Sequence, residues 1–335
     1  MIILNRFYLN VPQSRPSNLK ILHLLQSFSL PFYLLIFSTF HLGLANQFSP
    51  QVALDVTIPS FDPDGRVSWT LKAEEVIPME KSIYFVKKPN LKMVSKANQL
   101  SNATSDAGTF DLRNSTASGD TLLKVAGDGY TAEGNDWAWR KETENGLHQL
   151  SFGAKAYVSF KSEIDPVLPV KRKRPDTPDK KVVNVGNTFA VADLIELVTL
   201  EKGGYLFVLD GNVSVKGESL EIFCLKMEVM VENEHNQSKM NFGRITEVVA
   251  SGSVKMKQVG RVCQADKIKL DTIAGHGLLF GNAIVEDEEW GIVFGEKIEL
   301  EKSTGRARVI GTDEKRPRLE LPNLGKINLP GLRKP

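Results

Sequence analysis

The chain has 335 residues, 41% of them hydrophobic and 24% charged, with a formal net charge of +2 at pH 7. That balance is ordinary for a globular chain and leaves enough apolar material for one large or two modest domains. A near-neutral charge gives no electrostatic case for a nucleic-acid partner, and two cysteines, Cys224 and Cys263, are too few for a disulfide scaffold.

At the N-terminus, Arg6, Arg15 and Lys20 precede an apolar stretch from Phe28 to Ala45, and Gly43 and Ala45 stand where a signal peptidase reads small residues. The pattern predicts export, with residues 1–45 as a Sec-type signal peptide. The stretch is long for a signal core, so an uncleaved anchor stays open as the second reading. No run in the rest of the chain is apolar and long enough to span a bilayer as a helix.

From residue 46 onward apolar and polar residues alternate in short runs punctuated by Gly, Asn and Asp. Val67–Lys72, Tyr205–Leu209, Val213–Val215 and Lys297–Leu300 are examples. Period-two runs between turn residues predict antiparallel β structure. Asp62-Pro63-Asp64-Gly65 reads as a hairpin turn, since the remaining ligands of a calcium loop are missing. The β-branched content of Phe189–Leu200 and the Gly203-Gly204 turn after it favour strand over helix. Between Ile164 and Pro178 four prolines and the run Lys171-Arg172-Lys173-Arg174 interrupt the alternation. Each proline removes a ladder donor, so residues 161–187 read as a solvated linker between β units at 46–160 and 188–311. Glu286–Glu289 reads as a solvated turn, and residues 312–335, rich in Pro, Lys and Arg, as a tail without ordered structure.

The second unit contains an internal repeat. Ala192-Asp-Leu-Ile-Glu-Leu197, Cys224-Leu-Lys-Met-Glu-Val229, Ala265-Asp-Lys-Ile-Lys-Leu270 and Gly295-Glu-Lys-Ile-Glu-Leu300 each open on a small residue and place apolar residues fourth and sixth. Three copies follow a glycine that enters another strand, at Gly211-Asn-Val-Ser-Val215, Gly252-Ser-Val-Lys-Met256 and Gly281-Asn-Ala-Ile-Val285. A period near ~30–40 residues with two strands per unit predicts a stacked β array. Side chains alternate between faces, so Ile195, Leu197, Met227, Val229, Ile268, Leu270, Ile298 and Leu300 form one apolar wall. Lys226, Glu228, Lys267, Lys269, Lys297 and Glu299 line the outside, and the same alternation carried back through the repeat puts Cys224 and Cys263 outward as well. There the two thiols either pair across neighbouring rungs in an oxidising compartment or stay free. By the residue pattern alone, the wall is equally well the inside of a closed, dry core or of a groove.

These residues resemble a known family. Phe189–Gly311, with its A-D-x-h-x-h and G-N-V-x-V motifs (h for apolar), is similar to the OstA/LptA domain of lipopolysaccharide transport. Ile58–Glu74, followed by Pro89-Asn-Leu-Lys-Met93, resembles the start of the related LptC-type domain. The resemblance implies an all-β open jelly-roll, or β-taco, of stacked antiparallel strands in two related units. It implies that the wall, with Val213 and Val215, lines a groove for acyl chains. Lipopolysaccharide or a related glycolipid is then the ligand, and other β-taco domains dock by stacking edge strands into a bridge across the periplasm. A homo-oligomer stays open, as does an inner-membrane receptor role in place of the bridge. From a different class, the alternative is a structural β-solenoid or envelope interaction module with no lipid ligand.

Catalytic signals are sparse. None of His23, His41, His148, His235 and His276 stands at metal-ligand spacing from another His or Cys, and no nucleophile elbow, phosphate-binding loop or dinucleotide fingerprint occurs. The reading is a protein without enzymatic activity, metal or cofactor.

Overall fold

The computed structural model describes residues 51–95, 100–142, 146–162, 164, 187–232, 243–288, 290–312 and 316–321. The signal or anchor stretch and the basic run Lys171–Arg174 lie outside the described residues. So does most of the C-terminal tail.

Twenty strands, and no helix, form among the described residues. They are β1 (Ala53–Phe61), β2 (Val67–Pro78), β3 (Ile83–Lys87), β4 (Asn90–Val94), β5 (Leu100–Ser105), β6 (Ala107–Asp111) and β7 (Thr116–Gly119). β8 (Leu123–Gly127), β9 (Tyr130–Lys141), β10 (His148–Phe160), β11 (Thr188–Ala192), β12 (Leu194–Thr199) and β13 (Tyr205–Lys216) follow. The repeat region holds β14 (Leu220–Glu232), β15 (Arg244–Gln258), β16 (Arg261–Asp271), β17 (His276–Asp287) and β18 (Gly291–Glu301), and the chain closes with β19 (Arg306–Ile310) and β20 (Arg318–Glu320). β20 falls in the segment expected to lack structure; Leu319 pairs with Val293 of β18, and that ladder orders it.

All pairings are antiparallel and belong to one sheet folded on itself. Each long strand crosses a corner. Its two halves lie in two facing layers, which we term front and back. β13 shows the device: Tyr205–Asp210 pair with β12 and Ser214–Lys216 pair with β11, with Gly211–Val213 between them. Corresponding register shifts fall at Ala154/Tyr157, Phe223/Lys226, Ser251/Val254, Gln264/Lys267 and Phe280/Ala283. Several corners use backbone in the left-handed region, at Asp136, Lys155, Asn212, Ser253 and Asn282 among others. Asn, Asp and Gly adopt that conformation most readily. In the N-terminal part the corner breaks the strand outright, giving the short pairs β3/β4, β5/β6 and β7/β8.

The ladder runs on across the Pro-rich segment. Phe160 of β10 faces Thr188 of β11, and Phe152 faces Ile195 of β12. The backbone N–H of Ile164 donates to Thr188 Oγ1 at 3.3 Å, and Ile164 is buried. Asp62–Gly65 is the β1–β2 turn, closed by Asp62 N–H to Arg66 O and Gly65 N–H to Asp62 O, both at 2.8 Å.

Candidate functional site

The ten wall residues all point inward. Ile195, Leu197, Val213, Val215, Met227, Val229, Ile268, Leu270, Ile298 and Leu300 are each 3% exposed or less. They divide between the layers. Eight lie in the front layer, where strict cross-strand register joins them through the intervening strands in a row Ile195, Leu209, Met227, Ala250, Ile268, Leu279, Ile298. A second row runs Leu197, Phe207, Val229, Val248, Leu270. Val213 and Val215 face them from the back layer, where Val215 continues through Ile222, Met256, Cys263 and Val285. Leu209, Ala250 and Leu279 were missed from the sequence because they sit on strands between the repeats, though their own alternation carried the signal.

The cysteines do not lie outward. Cys224 is 7% exposed and Cys263 is fully buried, and both thiols are free. The corner explains the reversal: Leu225 and Lys226 are both exposed in succession, as are Asp266 and Lys267, so the alternation changes phase inside each repeat. Pairing is excluded by topology, because β15 lies between the strands that carry them. Two ladder spacings of ~4.8 Å exceed the reach of a disulfide. Burial pushes the Cys224 thiol up to about 11 and the Cys263 thiol to about 12.

The two motif families meet at the corner. Asn212 Nδ2 donates to Asp193 Oδ2 at 2.7 Å, and Asn282 Nδ2 donates to Asp266 Oδ2 at 3.1 Å. The Asp of each A-D motif thus holds the Asn of the next G-N turn. Gly211 (φ 76°) and Gly281 (φ 71°) pass so close to these carboxylates that a Cβ would collide with them. In the second copy Leu225 replaces Asp, and Ser253 stands where the others have Asn, so both partners change together.

Side chains of the two layers interdigitate midway along the ladder. Tyr130 and Phe160 of the back layer pack on Phe207 of the front layer with ring centroids 5.1 and 4.8 Å apart. Tyr130 also meets Tyr205 at 4.8 Å, and Ser101 Oγ stands 3.2 Å from both phenolic oxygens. Burial raises both phenols above their usual range. Trp69 meets Trp139 edge-on at 6.0 Å, and Trp139 stacks on His148 at 5.9 Å. Burial lowers His148 to about 4 and keeps its imidazole neutral. None of this aromatic cluster was singled out from the sequence, where its members are scattered over ~140 residues without a repeat.

The interior around the aromatic cluster is filled. The cavities among Leu91, Met93, Phe110, Trp137 and Trp139, and among Ser101, His148, Thr199 and Tyr205, hold only ≈ 10 Å³ each. That is at most the space of one water. Between the hairpin ends, Lys141 Nζ lies 2.5 Å from Asp62 Oδ1 and 2.8 Å from Ser68 Oγ, joining front and back layers opposite the corner. Among the described residues no group of three or more His, Cys, Asp or Glu side chains is placed to hold a metal ion. What the arrangement offers is apolar surface and two exposed ladder ends. β1 pairs only with β2, and β19 and β20 only with β18, among the described residues.

Residues 198–306 match the family described as LptA/(LptD N-terminal domain) LPS transport protein. The match covers β13–β18 and the ends of their neighbours, the stretch that carries most of the repeat. A search of curated proteins found no match.

Proposed function

We propose, from the match of residues 198–306 to lipopolysaccharide-transport domains, that this chain is a non-catalytic envelope protein that shields lipid acyl chains between membranes. The observation that supports it most is the pair of unbroken inward rows, Ile195 to Ile298 and Leu197 to Leu270, running from strand to strand with apolar side chains, aliphatic at every position but Phe207. Each methylene of a lipid taken from water contributes ~0.8 kcal/mol. A wall of equivalent sites offers that gain repeatedly without a trap along the path. The layers are covalently continuous only at the corner, so parting them at the hairpin ends would uncover both rows to a lipid. The exposed ladder ends at β1 and at β19/β20 suit edge-to-edge stacking with other domains of this kind. On this reading the N-terminal strands act as an LptC-like unit and the chain works in the periplasm, as receptor, bridge or both.

The filled interior around the aromatic cluster favours a second reading, a structural β module with no lipid ligand. Photo-crosslinking in cells separates the two. A photoreactive residue at buried Ile268 should give lipopolysaccharide adducts, and one at neighbouring Lys269 on the outer face should give none. Adducts at neither position, in a folded exported protein, select the structural module.

A further inference from the structure

The outer surface of the back layer carries a second feature, independent of the interior. On β10, β11 and β14 the outward side chains are Tyr157, Phe189, Val191 and Phe223. Phe189 is 41% exposed, Val191 44% and Phe223 38%. Tyr157 stacks on Phe189 with centroids 6.1 Å apart, and Tyr157 pairs directly with Val191 across the ladder. The row continues from Val191 through Ser214 to Phe223 and Lys255. Beside it runs Phe189, Lys216, Glu221 and Lys257. A groove of ≈ 470 Å³ lined by Lys155, Tyr157, Val191 and Asn212 borders these rows at the corner.

The charges on this field are mostly positive. Lys155, Lys216, Lys255 and Lys257 are exposed, against Glu221, which faces Lys216 at 3.5 Å, and Glu133, the cross-strand neighbour of Tyr157. Lys257 Nζ lies 5.3 Å from the Phe223 ring centroid. Glu133 also pairs across the ladder with Lys124, and Asp193, which lines the groove, accepts from Asn212. A second copy docking face to face would set these lysines against one another. Strand addition is not available either, because β10, β11, β13, β14 and β15 are each paired on both sides. Exposed aromatic rings beside lysines on one sheet face match the interface of an anionic bilayer, where rings enter the headgroup level and ammonium groups meet lipid phosphates.

We propose that this outer face, centred on Phe189, Val191 and Phe223 with Lys255 and Lys257, docks the protein on an anionic membrane surface. The interior is then held beside the bilayer that supplies or receives its ligand. The inference does not require that the interior carry lipid.

The test places an environment-sensitive nitrobenzoxadiazole on the full chain at Val191→Cys and, as control, at Glu228→Cys on the outer front layer. Cys224 and Cys263 are buried and take up little label. Vesicles of phosphatidylglycerol mixed with phosphatidylcholine should shift the emission at position 191 to the blue and leave position 228 unchanged. Phosphatidylcholine alone should shift neither. Combining Lys255→Glu with Lys257→Glu should weaken the response at least about tenfold. An N-terminal apolar stretch that merely tethers the chain would move both labels alike, and that outcome overturns the proposal. So does an unchanged emission at 191. A shift at 191 with polyglutamate but not with vesicles overturns it too, and assigns the face to an acidic protein.

Discussion

The interior changes character along the ladder. From β2 to β10 it is built of Trp69, Phe110, Tyr130, Trp137, Trp139, Phe152 and Phe160, fitted against Ala103, Ala117, Ala132 and Ala156. From β14 to β18 no aromatic side chain is buried among the described residues, and the core is Ile, Leu, Val and Met with a few Ala and Cys. In the aromatic part each contact is specific to its place: a Cβ at Gly108 or Gly119 would stand 2.7 Å from the Trp137 ring. The indole N–H groups of Trp69, Trp137 and Trp139 find no acceptor among the described residues. The aliphatic part repeats one kind of surface along its length. One sheet thus holds a section that fixes the relation of its two layers and a section uniform in lacking buried rings.

Truncations that probe this contrast should have the largest effects. Phe207→Ala removes the ring on which Tyr130 and Phe160 pack, and should cost about 3–5 kcal/mol in denaturant unfolding. Ile268→Ala in the uniform section should cost about 2–4 kcal/mol. If the ladder through β10–β11 makes the sections one cooperative unit, both changes lower the same midpoint. Two transitions that respond separately would show sections that melt on their own.

Next comes pH. The folded His148 takes up its proton only near pH 4, while an unfolded histidine does so near 6.5. The unfolded chain therefore binds more protons between those values, and stability falls as pH drops from 6.5 towards 4. The loss is roughly 2–3 kcal/mol. His148→Phe should flatten that part of the stability profile, and an unchanged slope would place the sensitive group elsewhere.

At the corner, Gly281→Ala forces a Cβ against Asp266 at φ 71° and should cost about 1–3 kcal/mol. Adding Asp266→Ala should return part of it, which strictly additive losses would contradict. The smallest effect concerns the thiols. Buried and protonated, Cys224 and Cys263 should react with a disulfide reagent at least about tenfold slower in the folded protein than in denaturant. Electrophoretic mobility should be the same with and without reductant.

The same contrast explains what was legible in the sequence. Positions such as Ile268 and Leu270 were readable because a period of two and a period near ~30–40 residues coincide there. The cysteines were misplaced because the corner adds one residue to each repeat, a backbone event that no side-chain alternation records. The strands of the first section were faint because the corner cuts them into pieces such as Thr116–Gly119, too short and too rich in Ala, Gly and Ser to show a phase. Tyr130, Phe160 and Phe207 are neighbours only because the layers close on each other. The clearest signal overlooked was local: the Asp of the A-D motif and the Asn of the G-N motif are complementary partners, and their spacing in the sequence already joined them.

The corner also governs how such a chain can grow. Most long strands turn once at the corner and reverse at a hairpin, so two consecutive strands restore the chain to the layer and direction from which it set out. A duplicated pair could be spliced in at any rung, bringing its own Asp and its own Gly-Asn, and both neighbours would find the partner they had before. A single added strand would deliver the rest of the chain running the opposite way, with front and back layers exchanged. Lengthening by twos is therefore the inheritance written into this fold, and the distance it spans is set by counting pairs.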